Sequence, residues 1–280
     1  RRQSAFSTSI RLMRGLCASF FGWFFLLPGS EKHFFGVYQK VFVRYKLFAG
    51  VVKKVQRQGF NYELHIDEWI QANVYFLGSY ESEELNTVRN LLKEGDVFVD
   101  LGANIGLFST VASRAVGPNG HVYSFEPFPL NAKRLKRHKE VNDCSNMVII
   151  EKAVADKPGT MTLVYDDSNQ NTGMPSAYKE EGNRIEVPLV ALDEIAREQA
   201  WRRVDFIKMD IEGGEYLALQ GMQKTLTNWA PTILLELHPE AVARTPYTSD
   251  QITTLLTEIG YQGRRIGSGY NYLFQVKKEK

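Results

Sequence analysis

Four apolar runs, VFVDLG (97 to 102), HVYSFE (121 to 126), VDFIKMD (204 to 210) and TILLEL (232 to 237), each carry an acid at or beside the carboxyl end. Their lack of apolar/polar alternation suits strands covered by helices on both faces. Between them lie helical patterns over 105 to 116, 130 to 141 and 214 to 226, with another over 249 to 259. Further strands are expected at 147 to 155, 160 to 166 and 185 to 190. The chain ends in a hairpin, YQGRRI and YNYLFQV around Gly267-Ser268-Gly269. The alternation predicts a doubly wound α/β sheet with an antiparallel C-terminal hairpin. Such sheets bind ligands at the carboxyl ends of their strands, beside the point where strand order reverses. The ends in question are Asp100 to Gly106, Glu126-Pro127, Ala153 to Asp156, Asp210 to Glu215 and Glu236 to His238.

The turn after the first run reads G-A-N-I-G, Gly102 to Gly106. A dinucleotide site calls for the fuller G-x-G-x-x-G and a pyrophosphate at the helix terminus. Here the third glycine is missing, and Asp100 adds negative charge where a pyrophosphate should lie. A zwitterionic ligand fits better, with its amino group near the acid and its carboxylate on backbone N–H groups; S-adenosylmethionine has that character. Glu126 at the next strand end is placed to accept from two ribose hydroxyls, a feature shared with nicotinamide dinucleotide sites. Either acid alone suits a helix cap or a solvated turn. Their 26-residue spacing on successive strands favours a ligand.

A chain of 280 residues, 44% of them hydrophobic, buries one main domain and an appendage. Charge divides it. Residues 1 to 60 hold eleven Lys or Arg against the single acid Glu31, a local charge of +10, which leaves −8 on the remainder of a chain whose total is +2. A basic segment on an acidic body points to an anionic surface. Cys17 and Cys144 are the only cysteines, too few for a disulfide framework and without zinc-binding spacing, so a cytoplasmic, reducing setting is expected.

The uncharged stretch GLCASFFGWFFLLPGS, Gly15 to Ser30, is shorter than the roughly 20 residues of a spanning helix. Four readings stay open: a helix packed on the catalytic body, a dimer contact, an interfacial helix with Phe20, Phe21, Trp23, Phe24 and Phe25 at the acyl boundary, and a targeting segment. Its aromatic content fits lipid better than nucleic acid, so no specific nucleic-acid partner is expected. Residues 61 to 95 read as lead-in strands FNYELHI and NVYFLG followed by a helix over 82 to 92 capped by Ser82. The catalytic domain then spans 96 to 280.

VFVDLGANIGLFSTVAS, HVYSFEPFPLNAKRLKRH, AVADKPG, VDFIKMDIEGGEYLALQGM and TILLELHP, in this order and preceded by GSYESEELNTVRNLLKEGD, resemble the successive blocks of FkbM-type methyltransferases over residues 78 to 240. The resemblance implies a class I methyltransferase (Rossmann-like) fold, S-adenosylmethionine as cofactor, and O-methylation of a sugar, glycan, glycolipid or secondary metabolite. By the same resemblance Asp100, Gly102, Asn104 and Gly106 line the methionine end and Glu126 holds the ribose. Ala153 and Val154 border the adenine, with Phe128 and Asn131 shaping the same wall, and Tyr80 and Glu81 close over the methionyl group. Asp210 and Glu212 face the transferred methyl.

A hydroxyl acceptor must lose a proton, and a positioned base contributes ~10²–10⁴-fold. The candidates are Asp210, Glu212, Glu236 and His238; His238 equally suits a cap at HPE, and Glu212 and Glu215 equally suit capping of a helix start. Lys208 shares the phase of Asp210 on its strand. Asp210 and Glu236 could share Mg²⁺, but the resemblance requires no metal and none is expected. The alternatives are an NAD(P)-dependent oxidoreductase or epimerase, disfavoured by the absence of Tyr-x-x-x-Lys, and a non-catalytic, membrane-associated S-adenosylmethionine-binding protein. Acceptor choice should lie in the loop 166 to 184, the N-terminal segment and the surroundings of Trp69.

Overall fold

The run Val97–Leu101 is buried along its whole length, and that requirement builds the sheet around it. In this computed structural model, residues 2–25, 27–165, 175–178 and 181–277 are described, with side chains from Met13 onward. They fall into two units.

The larger unit begins with α4 (Ser82–Leu91), numbered after the N-terminal elements given below. It continues through β3 (Val97–Leu101), α5 (Leu107–Val116), β4 (His121–Phe125), α6 (Pro129–Val141), β5 (Met147–Ile150), β6 (Ala153–Val154), β7 (Gly159–Tyr165) and β8 (Asn183–Val190). Then follow α7 (Leu192–Glu198), β9 (Phe206–Met209), α8 (Glu215–Gln220), α9 (Gln223–Trp229), β10 (Thr232–Glu236), α10 (Pro239–Val242), α11 (Ser249–Glu258), β11 (Tyr261–Ile266) and β12 (Asn271–Val276).

Seven strands form one sheet in the order β11-β12-β10-β9-β3-β4-β5. Strands β10, β9, β3, β4 and β5 pair in parallel. β12 runs antiparallel to both β10 and β11 and is inserted between them. The expected doubly wound sheet with its antiparallel finish is therefore present, and its order reverses between β3 and β9. One continuous core backs these strands, including Val99, Leu101, Ile207, Met209, Ile233 and Leu235.

Three elements depart from expectation. The strand expected over 147 to 155 breaks at a turn, where Lys152 N–H donates to Ile150 O at 2.9 Å. Its second part, β6, pairs with β8 in a separate three-stranded sheet with β7. The helix expected over 214 to 226 splits into α8 and α9 near Gly221, whose carbonyl accepts from Asp193 N–H at 3.0 Å. NVYFLG, read as a strand, lies instead mostly in a helix: β-branched and aromatic residues suit either state, and burial decides.

That helix belongs to the N-terminal unit, which runs α1 (Arg2–Phe24), a 3₁₀ turn Ser30–His33, α2 (Phe34–Val37), a π-helical stretch Tyr38–Val43, β1 (Val52–Arg57), β2 (Phe60–His65) and α3 (Trp69–Phe76). β1 and β2 form an antiparallel pair. Every residue of α3 from Gln71 to Phe76 is buried. Phe25 meets Phe34 and Phe76 edge-on at 5.0 and 6.0 Å, and Phe21 meets Phe42 at 5.0 Å. Trp69 stacks on Phe34 at 5.8 Å. Among the described residues no helix is long and apolar enough to cross a membrane.

Candidate active site

Strand β3 presents Asp100 with its side chain fully buried. One carboxylate oxygen, Oδ2, accepts from Ser109 Oγ on α5 at 2.5 Å, and Ser109 Oγ lies 2.8 Å from Ser124 Oγ on β4. The other oxygen, Oδ1, is buried without a hydrogen-bond partner. Burial raises the Asp100 pKa above the ordinary carboxylate range, opposed by the charge of Lys208 and the Ser109 bond.

The loop beyond β3 folds back tightly. Gly102, Asn104 and Gly106 all adopt left-handed conformations, with φ of 81°, 51° and 89°. A Cβ on Gly102 would lie 1.9 Å from Asp210 O, so the ends of β3 and β9 touch only because that atom is missing. The loop also consumes its own donors. Gly102 and Ala103 N–H both donate to Phe125 O, at 3.0 and 2.9 Å, and Gly106 N–H donates to Ala103 O at 2.8 Å. Asn104 N–H donates to Glu126 Oε2 at 2.7 Å. A phosphate cradle needs such groups free. The expectation that backbone N–H groups here hold a carboxylate therefore fails for these four.

Glu126 is buried and receives Asn104 N–H on Oε2 and Phe128 N–H on Oε1, the latter at 2.9 Å. Each oxygen keeps a further acceptor site. Burial pushes its pKa up to about 7 against the pull of those two bonds. The expected adenine wall is only partly assembled. Phe128, its ring tilted against Tyr165 at 4.9 Å, shares a small apolar cluster with Leu163, Val187 and the partly buried Ala153. Val154 belongs to the main core, and Asn131 is buried in the first turn of α6.

At the switch point Lys208 is buried among acids. Its Nζ bonds Asp210 Oδ2 at 3.1 Å, reaches Gly102 O at 3.4 Å and lies 5.1 Å from the Phe108 ring centre. Desolvation opposes the lysine charge, but Asp210, Asp100 and Glu81 together raise its pKa. Asp210 is held below the ordinary carboxylate range: burial works against ionisation, and Lys208, a hydrogen bond with Glu236 and the charge of His238 outweigh it. Glu236, at the end of β10, moves the other way, driven by the charge of Asp210, by burial and by that same bond. The two neighbouring carboxyl groups are thus pushed in opposite directions, Asp210 toward the anion and Glu236 toward the protonated form.

Glu81 opens α4 with a left-handed φ of 50°. Burial first, then the charge of Asp210, raise its pKa to about 7, opposed by Lys208. Tyr80, the other residue expected to close over the methionyl group, is the last of the N-terminal unit. Glu212 also has a left-handed φ, of 53°, and its carbonyl accepts from Ser176 Oγ at 3.3 Å. The capping role falls to Glu215, whose Oε1 accepts from Gly213 N–H at 3.1 Å and Ile211 N–H at 3.4 Å. His238 precedes α10 without a side-chain capping bond and meets Tyr270 edge-on at 5.0 Å. Of the loop expected to set acceptor choice, residues 166 to 174 and 179 to 180 lie outside the described residues. Among the described residues no group of three or more His, Cys, Asp or Glu is arranged to hold a metal.

Sequence reasoning missed the supports of these acids. Ser109, itself 2.8 Å from Ser124, holds Asp100, Phe108 flanks Lys208, and the Asn271 side chain hydrogen-bonds Glu81. The one available signal was Ser124, a hydroxyl on the buried face of an apolar strand.

The model of the family described as the methyltransferase FkbM domain matches residues 100–262. A methyltransferase of Sordaria araneosa, sdnD, is 26% identical over 200 residues, covering 61% of this chain and 75% of the relative. The 31-O-demethyl-FK506 methyltransferase FkbM of Streptomyces tacrolimicus is 25% identical over 183 residues, covering 52% of this chain and 67% of its own. The crystal structure of methyltransferase FkbM from Methylobacillus flagellatus KT aligns at a TM-score of 0.45 with 16% identity, over 74% of this chain and 52% of that one. Matched over more than half its length, the chain belongs to the FkbM methyltransferase domain family, with S-adenosylmethionine as its cofactor.

Proposed function

We propose that the chain transfers a methyl group from S-adenosylmethionine to a hydroxyl of a sugar, glycan, glycolipid or secondary metabolite. The observation that carries the reading is the group of acids at adjacent strand ends: Asp100 with its unpartnered buried Oδ1, and Asp210, bonded by Lys208 at 3.1 Å with Glu236 and His238 close enough to act on its charge. The name of the Streptomyces tacrolimicus relative, a 31-O-demethyl-FK506 methyltransferase, supports an oxygen acceptor.

The residues present fit the cofactor. Asp100 Oδ1 is an orphaned buried acceptor, and leaving one unsatisfied costs about 1–3 kcal/mol, so a ligand donor there is favoured. Glu126 retains acceptor sites for a diol, and Glu81, Asp100, Glu126 and Asp210 outnumber Lys208, which suits a ligand carrying an ammonium and a sulfonium. The cofactor supplies an electrophilic methyl carbon. The chain must align an acceptor oxygen with that carbon, exclude water and take one proton. Asp210, kept ionised by Lys208, accepts the acceptor's O–H and orients it, and His238 removes the proton. Glu212, two residues beyond Asp210 in a left-handed turn, is proposed to border the acceptor.

The test is methyl transfer from labelled S-adenosylmethionine to panels of sugar, lipid-linked sugar and polyketide alcohols, with matched amines in parallel. Labelled ethers, lost in Asp210→Asn and His238→Ala, are expected. Label only on amines would refute the reading.

A further inference from the structure

Helix α1 is apolar on two sides. Its inner side is filled: Ala18 is buried, as is Phe25 just past the helix, and Phe21 packs on Phe42 and Phe48. Polar contacts pin it as well, because Lys53 Nζ donates to Gly15 O at 2.7 Å and Arg14 Nη1 to Ala49 O at 3.1 Å. The other side carries Met13, Leu16, Phe20 and Trp23, exposed at 62%, 66%, 63% and 62%, with Leu27 just beyond the helix. Their three- and four-residue spacing places them in one stripe, about 15 Å long from Met13 to Trp23. A folded helix with its core face already satisfied gains nothing from a second apolar stripe in water.

Charge selects what covers it. Residues 1 to 60 carry +10, and Lys32, Lys40, Arg44 and Lys46 of this unit are exposed. A second copy would bring an equal positive charge against the first. An anionic surface is attracted, and a surface that also accepts Phe, Trp, Leu and Met side chains without needing hydrogen bonds is a lipid bilayer. Among the described residues no helix is long and apolar enough to cross one. We propose that the Met13–Leu27 stripe is an in-plane anchor that inserts into the interface of bilayers rich in anionic phospholipid.

The test is flotation of the full chain with phosphatidylcholine vesicles and with vesicles containing phosphatidylserine. Binding is expected to the second only, falling as salt is raised. Phe20→Ser/Trp23→Ser should weaken it by about tenfold or more, and Lys40→Glu/Arg44→Glu by about tenfold, with unchanged S-adenosylmethionine binding as the check on folding. Trp23→Phe retains an aromatic anchor. The fluorescence it removes, relative to the parent, should be the fraction quenched by bromine-labelled lipid. The proposal is overturned by equal flotation of the Phe20/Trp23 variant, by no binding to anionic vesicles, or by a homodimer that the same substitutions disperse.

Discussion

Replacing Lys208 by Met removes the one buried cation that faces Asp210, Asp100 and Glu81, while keeping most of its apolar stem. Breaking a buried ion pair from one side costs about 3–5 kcal/mol, because the partner's charge is left without compensation. The Asp210 side chain is 29% exposed, so water repays part of that cost and the lower end applies, about 3 kcal/mol at neutral pH. For a unit of this size that corresponds to a fall in Tm of roughly 6–12 °C. The sign with pH is fixed by the acids left behind. Without the lysine the folded-state pKa values of Asp100 and Glu81 rise further above the unfolded ones, and Asp210 loses the cation that holds it below, so the variant's stability falls more steeply as pH increases. The deficit should therefore be larger at about pH 8 than at about pH 5, where proton uptake relieves it. Thermal unfolding of both proteins at the two pH values measures this. An unchanged Tm, or an equal deficit at both, would refute the claim that Lys208 neutralises the cluster.

Other perturbations read other parts of the site. Gly102→Ala forces a Cβ to 1.9 Å from Asp210 O in a left-handed backbone; a loss of about 2–4 kcal/mol in urea unfolding is expected, with S-adenosylmethionine binding abolished in calorimetry. Burial and its neighbours raise Glu126 and Glu81 to about 7, so their contribution to apo stability is complete below about pH 4.5 and lost as pH rises through 7. The apo protein should unfold more easily at about pH 8 than at about pH 5.5, and cationic S-adenosylmethionine should stabilise it more at the higher value; a reversed trend in thermal shift would contradict the assignment. Glu236→Gln retains a donor to Asp210, so it should lower kcat less than His238→Ala, which removes the proposed base and should cost ~10²-fold or more. Equal losses in steady-state kinetics would reassign the base.

Sequence pattern reveals burial and turn chemistry well and pairing poorly. Val97–Leu101 is legible as a buried strand because its apolar residues do not alternate with polar ones, and all five residues are buried; G-A-N-I-G marks a sharp reversal because glycine tolerates positive φ. Asn104 at φ 51° could be anticipated only from its flanking glycines. The helical state of Trp69–Phe76 was not legible, since NVYFLG, which begins at Asn73 within it, reads as a strand and only the enclosing aromatic cluster decides otherwise. The insertion of β12 between β10 and β11 depends on which edge the hairpin docks against, a relation between residues some forty apart that no local pattern carries.

The same limit governs the site. The acids at the strand ends could be read one by one, yet their ionisation could not, because it depends on who faces whom. Asp210 and Glu236 are both single carboxylates in the sequence. Side by side at the ends of β9 and β10, with the Lys208 amine bonded to the first, they diverge: the Asp210 pKa is pushed down and that of Glu236 up. The glycine loop shows the complementary case. Its N–H groups looked available to a ligand, but the parallel pairing of β3 with β4 brings Phe125 O and the Glu126 carboxylate within reach of three of them. What these strand ends leave unengaged is therefore acceptor-rich: Asp100 Oδ1 and the further lone pairs of Glu126, with the Glu81 carboxyl nearby, and these are the groups proposed to meet the cofactor. A site built of acceptors selects a ligand that brings donors and positive charge, which separates this switch point from one that binds a pyrophosphate.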